Sequence, residues 1–467
     1  MKSRLAPMFF LLTVLIFFQC ADEDPMLTST PDAVTSFNTT TPATTPLSTD
    51  CSCDYIVPSN AGLVDGQALS IQPGHVICLD ASKTYGKILF RNIRGTATQP
   101  VVIKNCGGAV TIVATGLPYA MKTEKSQYFK ISGGAGSTYG IRLNGGQLGL
   151  TLDNLSTNFE VDHVEIFNSG FAGIMAKTDP TCDNATHRGN FTMRDISLHH
   201  NYVHDTGGEG FYIGNSFYSK GINTPCGIKL PHIIEGVKVF NNIVKNSGWE
   251  SIQIGSAPKG AEVFNNTIEN YGTKNVLYQN NGIQFGEGAP GKCYGNFIKR
   301  GKGTGLIIIG NGENFIHDNI IVETGSFGIF CDEREFPGLG FRIMNNTLVN
   351  TGSDGIRLYS DKVSNIVLNN IIANPKSYST YTYPRTGNDA YVYLLNKTMN
   401  VVISGNKYTR SIDSLKFSNA ATYNFRLTSA SPVINKGKDI SIYNIPVDYY
   451  LKPRLKGVAY DVGASEY

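Results

Sequence analysis

The chain has 467 residues, a formal net charge of +3 and 16% charged residues. That balance argues against a nucleic-acid binder held by phosphate attraction. Its 50 glycines and 10% aromatic residues favour turns and strands. Length alone would give two or three domains, but an internal repeat overrides that prior, because each unit of an array needs only its neighbours.

Residues 1–19 read as a targeting segment. Lys2 and Arg4 precede an apolar run over residues 9–18, too short to span a bilayer comfortably. The run ends in F-F-Q-C at Cys20, and Ala21-Asp22-Glu23-Asp24 follows. This resembles the signal of Bacteroidetes-type lipoproteins with its acidic surface-display tag. The resemblance implies a lipidated Cys20, export, and an outer-membrane anchor facing outward. An ordinary cleaved signal with a chance cysteine is the alternative. Residues 20–50 are rich in Thr, Ser and Pro and read as an extended stalk. Eight further cysteines (Cys51, Cys53, Cys78, Cys106, Cys182, Cys226, Cys293 and Cys331) suit an exported chain that forms disulfides. None has metal-ligand spacing, so no metal site is predicted.

Residues 51–113 form a predicted N-terminal cap with the first coils. A-L-S-I-Q-P-G-H-V-I-C-L from Ala68 and G-T-A-T-Q-P-V-V-I-K-N from Gly95 resemble the opening of right-handed parallel β-helix (pectin-lyase-like) proteins. Lyases of the chondroitinase-B and alginate-lyase group share that opening, as do hydrolases, epimerases and proteins of unknown role. Residues 114–425 are the predicted helix. Its most regular part repeats one unit, with the second Asn at Asn242, Asn266, Asn296, Asn319, Asn346 and Asn370. The spacings of 24, 30, 23, 27 and 24, differences of those positions, mark a solenoid. In one unit V-x-V is a strand, Asn-Asn a turn, I-x-N a second strand, G-x-x-G a turn, and G-I-x-L a third strand. The expected fold is therefore all-β, a parallel β-helix with three strands per coil and an asparagine ladder. Residues 426–467 resemble the closing segment of such helices, and no appended domain is expected after them.

The repeat supplies a register. It places His200 and Asp205 at turn positions filled elsewhere by Asn, which removes them as a catalytic pair. It also sorts an outward column on the G-I-x-L sheet, the sheet that carries the substrate cleft in pectate lyases and their relatives. Arg142, Gln253, Gln284, Asp332, Arg357, Tyr359 and Tyr391 are the predicted substrate-binding residues. A solvated sheet face would alternate polar-out in the same way. Two long insertions, residues 178–190 and 215–235, each carry one cysteine, and a Cys182–Cys226 bridge bracing one cleft wall is predicted. Residues 375–388, with Tyr378, Tyr381, Tyr383 and Arg385, form the predicted opposite wall.

Lys177, Glu209, Tyr212, Glu250 and Gln253 fall on neighbouring coils between insertions and sheet. Lyase chemistry on an acidic glycan needs a group that neutralises a uronate, a base and an acid. Lys177, Tyr212, Glu209 and His204 are the catalytic candidates. Hydrolysis by inversion would instead need carboxylates about 6.5–9.5 Å apart, for which Glu287 and Asp332 are the candidates. The chain lacks the R-x-P-x-x-R of pectate lyases, the N-G-D and G-H-G of polygalacturonases and the N-E-x-x-x-R of the chondroitinase-B group. Asp179-Pro180-Thr181 echoes only part of the epimerase D-P-H. The expectation is a surface protein, monomeric, acting on an extracellular polysaccharide, a lyase before a non-catalytic glycan binder or a hydrolase. No nucleic-acid partner is expected, and a Ca²⁺ requirement stays open.

Overall fold

The structure, a computed structural model, describes residues 51–310, 313–333, 338–378 and 390–467. The proposed signal, Cys20 and the stalk lie outside the described residues. So do Glu335, Tyr381, Tyr383 and Arg385.

Among the described residues, strands gather into three long parallel sheets of 13, 12 and 11 strands. Each coil contributes one strand to each. One coil runs Thr192–His199 in the first sheet, Tyr202–Thr206 in the second and Phe211–Ile213 in the third, here called the front sheet. The next coil repeats the order and pairs Thr192 with Ile233, Tyr202 with Ile243 and Phe211 with Ile252. Alternation puts Ile196, Leu198, Val203, Phe211 and Ile213 inside, all at most 1% exposed. This is a parallel β-helix, as the repeat predicts.

The turn between first and second sheets holds two Asn roles. The first residue of each pair has positive φ: 54° at His200, 53° at Asn241, 54° at Asn265 and 54° at Asp318. Asn and Asp tolerate that region better than most side chains. Asp205 at 54° matches Asn246 at 53° and Asn270 at 56° at the next turn. Both His200 and Asp205 are thus turn residues. The second Asn points inward. Asn201, Asn242, Asn266, Asn296, Asn319, Asn346 and Asn370 each donate from Nδ2 to Oδ1 of the next at 2.9–3.1 Å, ending at Asn406. The ladder runs one coil further at each end than the six asparagines of the repeat.

Two disulfides, Cys51–Cys106 and Cys53–Cys78, tie the first coils together. The C-terminal segment folds back along the turns of the later coils. Asn345 Nδ2 donates to Asp461 O at 3.0 Å and Asn369 Nδ2 to Lys438 O at 2.9 Å. Buried Arg454 is paired with Asp318 and Glu466. Leu415, Phe425, Val433 and Val462 make a second core against Ile320, Val349 and Ile371.

Candidate functional site

The front-sheet register aligns Met175, Tyr212, Gln253, Gln284, Ile307, Phe330, Arg357 and Tyr393 in one outward column. Two predicted members, Arg142 and Tyr391, and the catalytic candidate His204 are elsewhere. Arg142 is on the second sheet, paired with Glu165 and lying 5.7 Å from the Phe167 ring centroid. His204 is on that sheet too, its ring nitrogens 3.2 Å from Glu165 and 2.6 Å from Asp205. Burial works against its charge, but the two carboxylates more than offset that and raise its pKa. A ring held between two carboxylates on the second sheet lies away from the front-sheet column. Tyr391 precedes the strand Val392–Leu394 and stacks on Tyr408 at 4.9 Å, off the column.

Glu209 and Glu250 sit at the turn leading into the front sheet. The Gly210 amide donates to Glu250 O at 2.9 Å, so the two are in register one coil apart. They are 2% and 0% exposed. Neither Glu209 Oε2 nor Glu250 Oε2 has a hydrogen-bond partner among the described residues. Burial disfavours the charged form. It pushes Glu209 up to about 7, against which Lys177 pulls back, and Glu250 up to about 8, to which the Glu209 charge adds.

A polar chain runs from this pair into the column. Asn281 Nδ2 donates to Glu250 Oε1 at 3.1 Å and lies 3.4 Å from Gln284 Oε1. Gln284 Nε2 donates to Gln253 Oε1 at 3.2 Å, and Gln253 Nε2 to Ser216 Oγ at 2.8 Å. Ser216 Oγ and the Tyr212 hydroxyl are hydrogen-bonded at 3.2 Å. Lys177 Nζ lies 4.6 Å from the Tyr212 ring centroid and 2.9 Å from Asp179 Oδ1. Burial opposes the Lys177 charge, yet Tyr212, Asp179 and Glu209 together raise its pKa, so it remains an ammonium. The structure therefore brings Lys177, Glu209, Tyr212, Glu250 and Gln253 to one patch. Gln253 and Gln284, at 2% and 7% exposure, are committed to the chain and hold Tyr212 and Glu250 in place.

Asn281, Ser216 and Asp179 belong to the site, and sequence reasoning assigned them no role. Asn281 shares the repeat position of Glu209 and Glu250, a signal the register carries. Ser216 sits in an insertion with no register.

Above the patch, Cys182 and Cys226 are disulfide-bonded. Asn215 Nδ2 donates to Asp179 Oδ1 at 3.1 Å, and His232 Nε2 accepts from the Thr178 amide at 2.9 Å. Burial lowers His232 to about 4, which keeps it neutral and able to accept. Glu287 Oε2 accepts from the Ser219 amide at 3.2 Å, so it braces a loop root. Cys182→Ser is expected to leave the helix intact by circular dichroism, because the bridge joins two exposed insertions while the coil between them is held by its own strand pairing. It should loosen the Lys177–Asp179 wall, read as faster amide exchange over residues 177–190 and 215–232.

Arg357 is 1% exposed, 3.0 Å from Asp354, and within 4.5, 5.4 and 4.2 Å of the Phe327, Tyr359 and Tyr393 ring centroids. It organises the aromatic end of the column and is not open to a ligand. Asp332 is half-buried beside Tyr359 in the neighbouring coil. On the first sheet, Glu160, Asp162 and His199 place ligand-type atoms within 4.8 Å of one another. Lys130 Nζ is 2.7 Å from Glu160 and 2.8 Å from Asp162, so an ammonium already serves both carboxylates.

Residues 233–408 match the family model described as a right handed beta helix region. The array is a right-handed β-helix. Among solved structures, a pectate lyase aligns over 90% of this chain and 98% of its own at 13% identity and TM-score 0.47. A GH136 lacto-N-biosidase from Eubacterium ramulus aligns over 77% of this chain and 68% of its own, at 11% identity and TM-score 0.46. A PL6 family polysaccharide lyase from Pseudopedobacter saltans aligns over 86% and 98%, at 13% identity and TM-score 0.42. No curated protein matches the sequence. These β-helix likenesses transfer no site residue, and function must be argued from the site.

Proposed function

We propose that this β-helix cleaves an acidic polysaccharide by β-elimination on the front sheet. The observation that carries the reading is a buried carboxyl and an ammonium on one patch. Glu209, raised to about 7 by burial, lies within electrostatic reach of the Lys177 ammonium, which rests over the Tyr212 ring. With Glu250 raised to about 8, the two buried carboxyls cancel little of the Lys177 charge below pH 7, and that ammonium, paired at its edge with Asp179, is the group that would meet an anionic sugar.

In this reading the Lys177 ammonium meets the uronate carboxylate and stabilises the charge that grows there. The Tyr212 oxygen, acting as the base, takes the proton from the carbon bearing that carboxylate. The released electron pair forms a double bond to the neighbouring carbon, whose bond to the glycosidic oxygen breaks. Glu209 gives its proton to that leaving oxygen. Hydrolysis with retention is a second reading, favoured by the one-coil spacing of Glu209 and Glu250, about 4.8 Å against the about 5–5.5 Å that retention uses. It needs one carboxylate ionised, which burial opposes.

The test is ultraviolet absorbance of the new double bond across uronate polymers. Lys177→Ala and Tyr212→Phe are each expected to abolish the signal while the rod stays folded. Unchanged rates would reject this site. Reducing ends without absorbance would favour hydrolysis, and retained glycan-array binding with neither signal would make the protein a non-catalytic binder. The same reading has the chain exported and anchored through Cys20, displayed outward from the outer membrane. Cys20→Ser is then expected to move the protein from the membrane fraction to the soluble one.

A further inference from the structure

The outward column says how charge is distributed along the substrate. From Tyr212 through Gln253, Gln284 and Ile307 to Phe330 the register contains no cation. The next cation in the column is Arg357, six coils beyond Lys177 and therefore about 29 Å away. It is enclosed by Asp354 and three rings. A chain carrying a carboxylate on every sugar would lay most of its charges over amides and rings, with no counter-charge from the described residues of the column to offset desolvation.

At the turn that leads into the front sheet, on coils preceding that of Tyr212, lies a cavity of about 380 Å³, lined by Thr115, Asn144, Gln147, Asn168 and the backbone of Gly116, Gly145 and Gly146. The register ties it to the site. The Phe171 amide donates to Gln147 O at 2.8 Å, and the Gly208 amide to Phe171 O at 2.8 Å, one residue before Glu209. Phe171 in turn meets the Tyr212 and Trp249 rings edge-on at 6.2 and 5.4 Å. The lining offers carboxamides and peptide groups, with Gln147 exposed, and no side chain of either charge. Such groups recognise hydroxyls and acetamides.

The geometry points to a heteropolysaccharide in which isolated uronates are interspersed with neutral sugars, one uronate at Lys177 and a neutral sugar of the same chain in the Gln147 cavity. This rests on the acidic-glycan reading of the site and names its substrate class.

The experiment measures turnover by wild type, and binding by calorimetry with the slow Glu209→Gln variant. Unsulfated chondroitin and hyaluronan, which alternate, are compared with polygalacturonate and polymannuronate, which do not. Preference for the alternating polymers by roughly tenfold or more in kcat/KM and in affinity is expected, the scale of one well-made recognition contact. Gln147→Ala should raise KM about fivefold with kcat unchanged, one neutral hydrogen bond's worth. Gln147→Lys should shift the preference towards the homopolymers. Equal or better use of the homopolymers overturns the inference, as does an unmoved KM in both Gln147 variants. Tight alternating-polymer binding without turnover by wild type upholds this specificity and removes the lyase reading. Binding to neither class removes both.

Discussion

Glu209→Gln is expected to slow turnover by a factor of about 100 to 10,000, the usual contribution of a positioned acid or base. Affinity should change little. Glutamine keeps the shape and the burial but has no proton to give to the leaving oxygen. The pH profile separates this from a structural defect. The donor must be protonated, so wild-type activity should fall as pH rises through about 7, where Glu209 titrates. The variant's residual activity should lack that limb. Stability carries the same signature. Both carboxyls sit above the ordinary value of 4.5, Glu209 at about 7 and Glu250 at about 8. A group raised in the folded state gives its full stability below the unfolded pKa and loses it as pH rises through the folded one. The chain should therefore weaken between about pH 5 and 8. Glu250→Gln should flatten that slope, because a neutral amide there has no charge to bury. A wild-type melting temperature level across that window would show that the pair is solvated and the acid assignment wrong.

The architecture was legible because its signal repeats. Valine alternation, the Asn pair and G-I-x-L recur often enough that register follows from spacing alone, and register moved His200 and Asp205 from chemistry to turn geometry. The same register set Glu209 above Glu250 and Tyr212 above Gln253. What it missed came from regions without repeats. Arg142 is an outward residue of the second sheet, and the irregular early coils had put it on the front one. Arg357 reads as an exposed cation in sequence. Only packing shows Phe327, Tyr359 and Tyr393 closing round it. Ser216 completes the link between Gln253 and Tyr212 from an insertion whose path no periodicity describes. The Gln147 cavity arises where glycines and a short turn expose backbone, a shape that composition does not announce.

Asn319→Ala is expected to cost about 3–5 kcal/mol, the range for breaking a buried hydrogen-bond network. Its Nδ2 donates to Cys293 O at 2.9 Å, His317 O at 3.1 Å and Asn346 Oδ1 at 2.9 Å. Its Oδ1 accepts from the Asn296 amide at 3.1 Å and from Asn296 Nδ2 at 2.9 Å. Alanine would strand these groups at a position that is 0% exposed, where water cannot replace the lost partners. Each coil rests on its neighbours, so the loss should appear as local opening rather than a uniform shift. Amide exchange should quicken first over residues 293–349, and the thermal transition should broaden or split. Asn265→Gly is the control. Asn265 is exposed with φ 54°, and Gly295, φ 63°, already occupies the equivalent turn position one coil on. Glycine enters that backbone conformation without a Cβ penalty, so this variant should melt close to wild type. Equal melting of Asn319→Ala and Asn265→Gly would mean that the strands alone hold the coils, and that the ladder contributes order without stability.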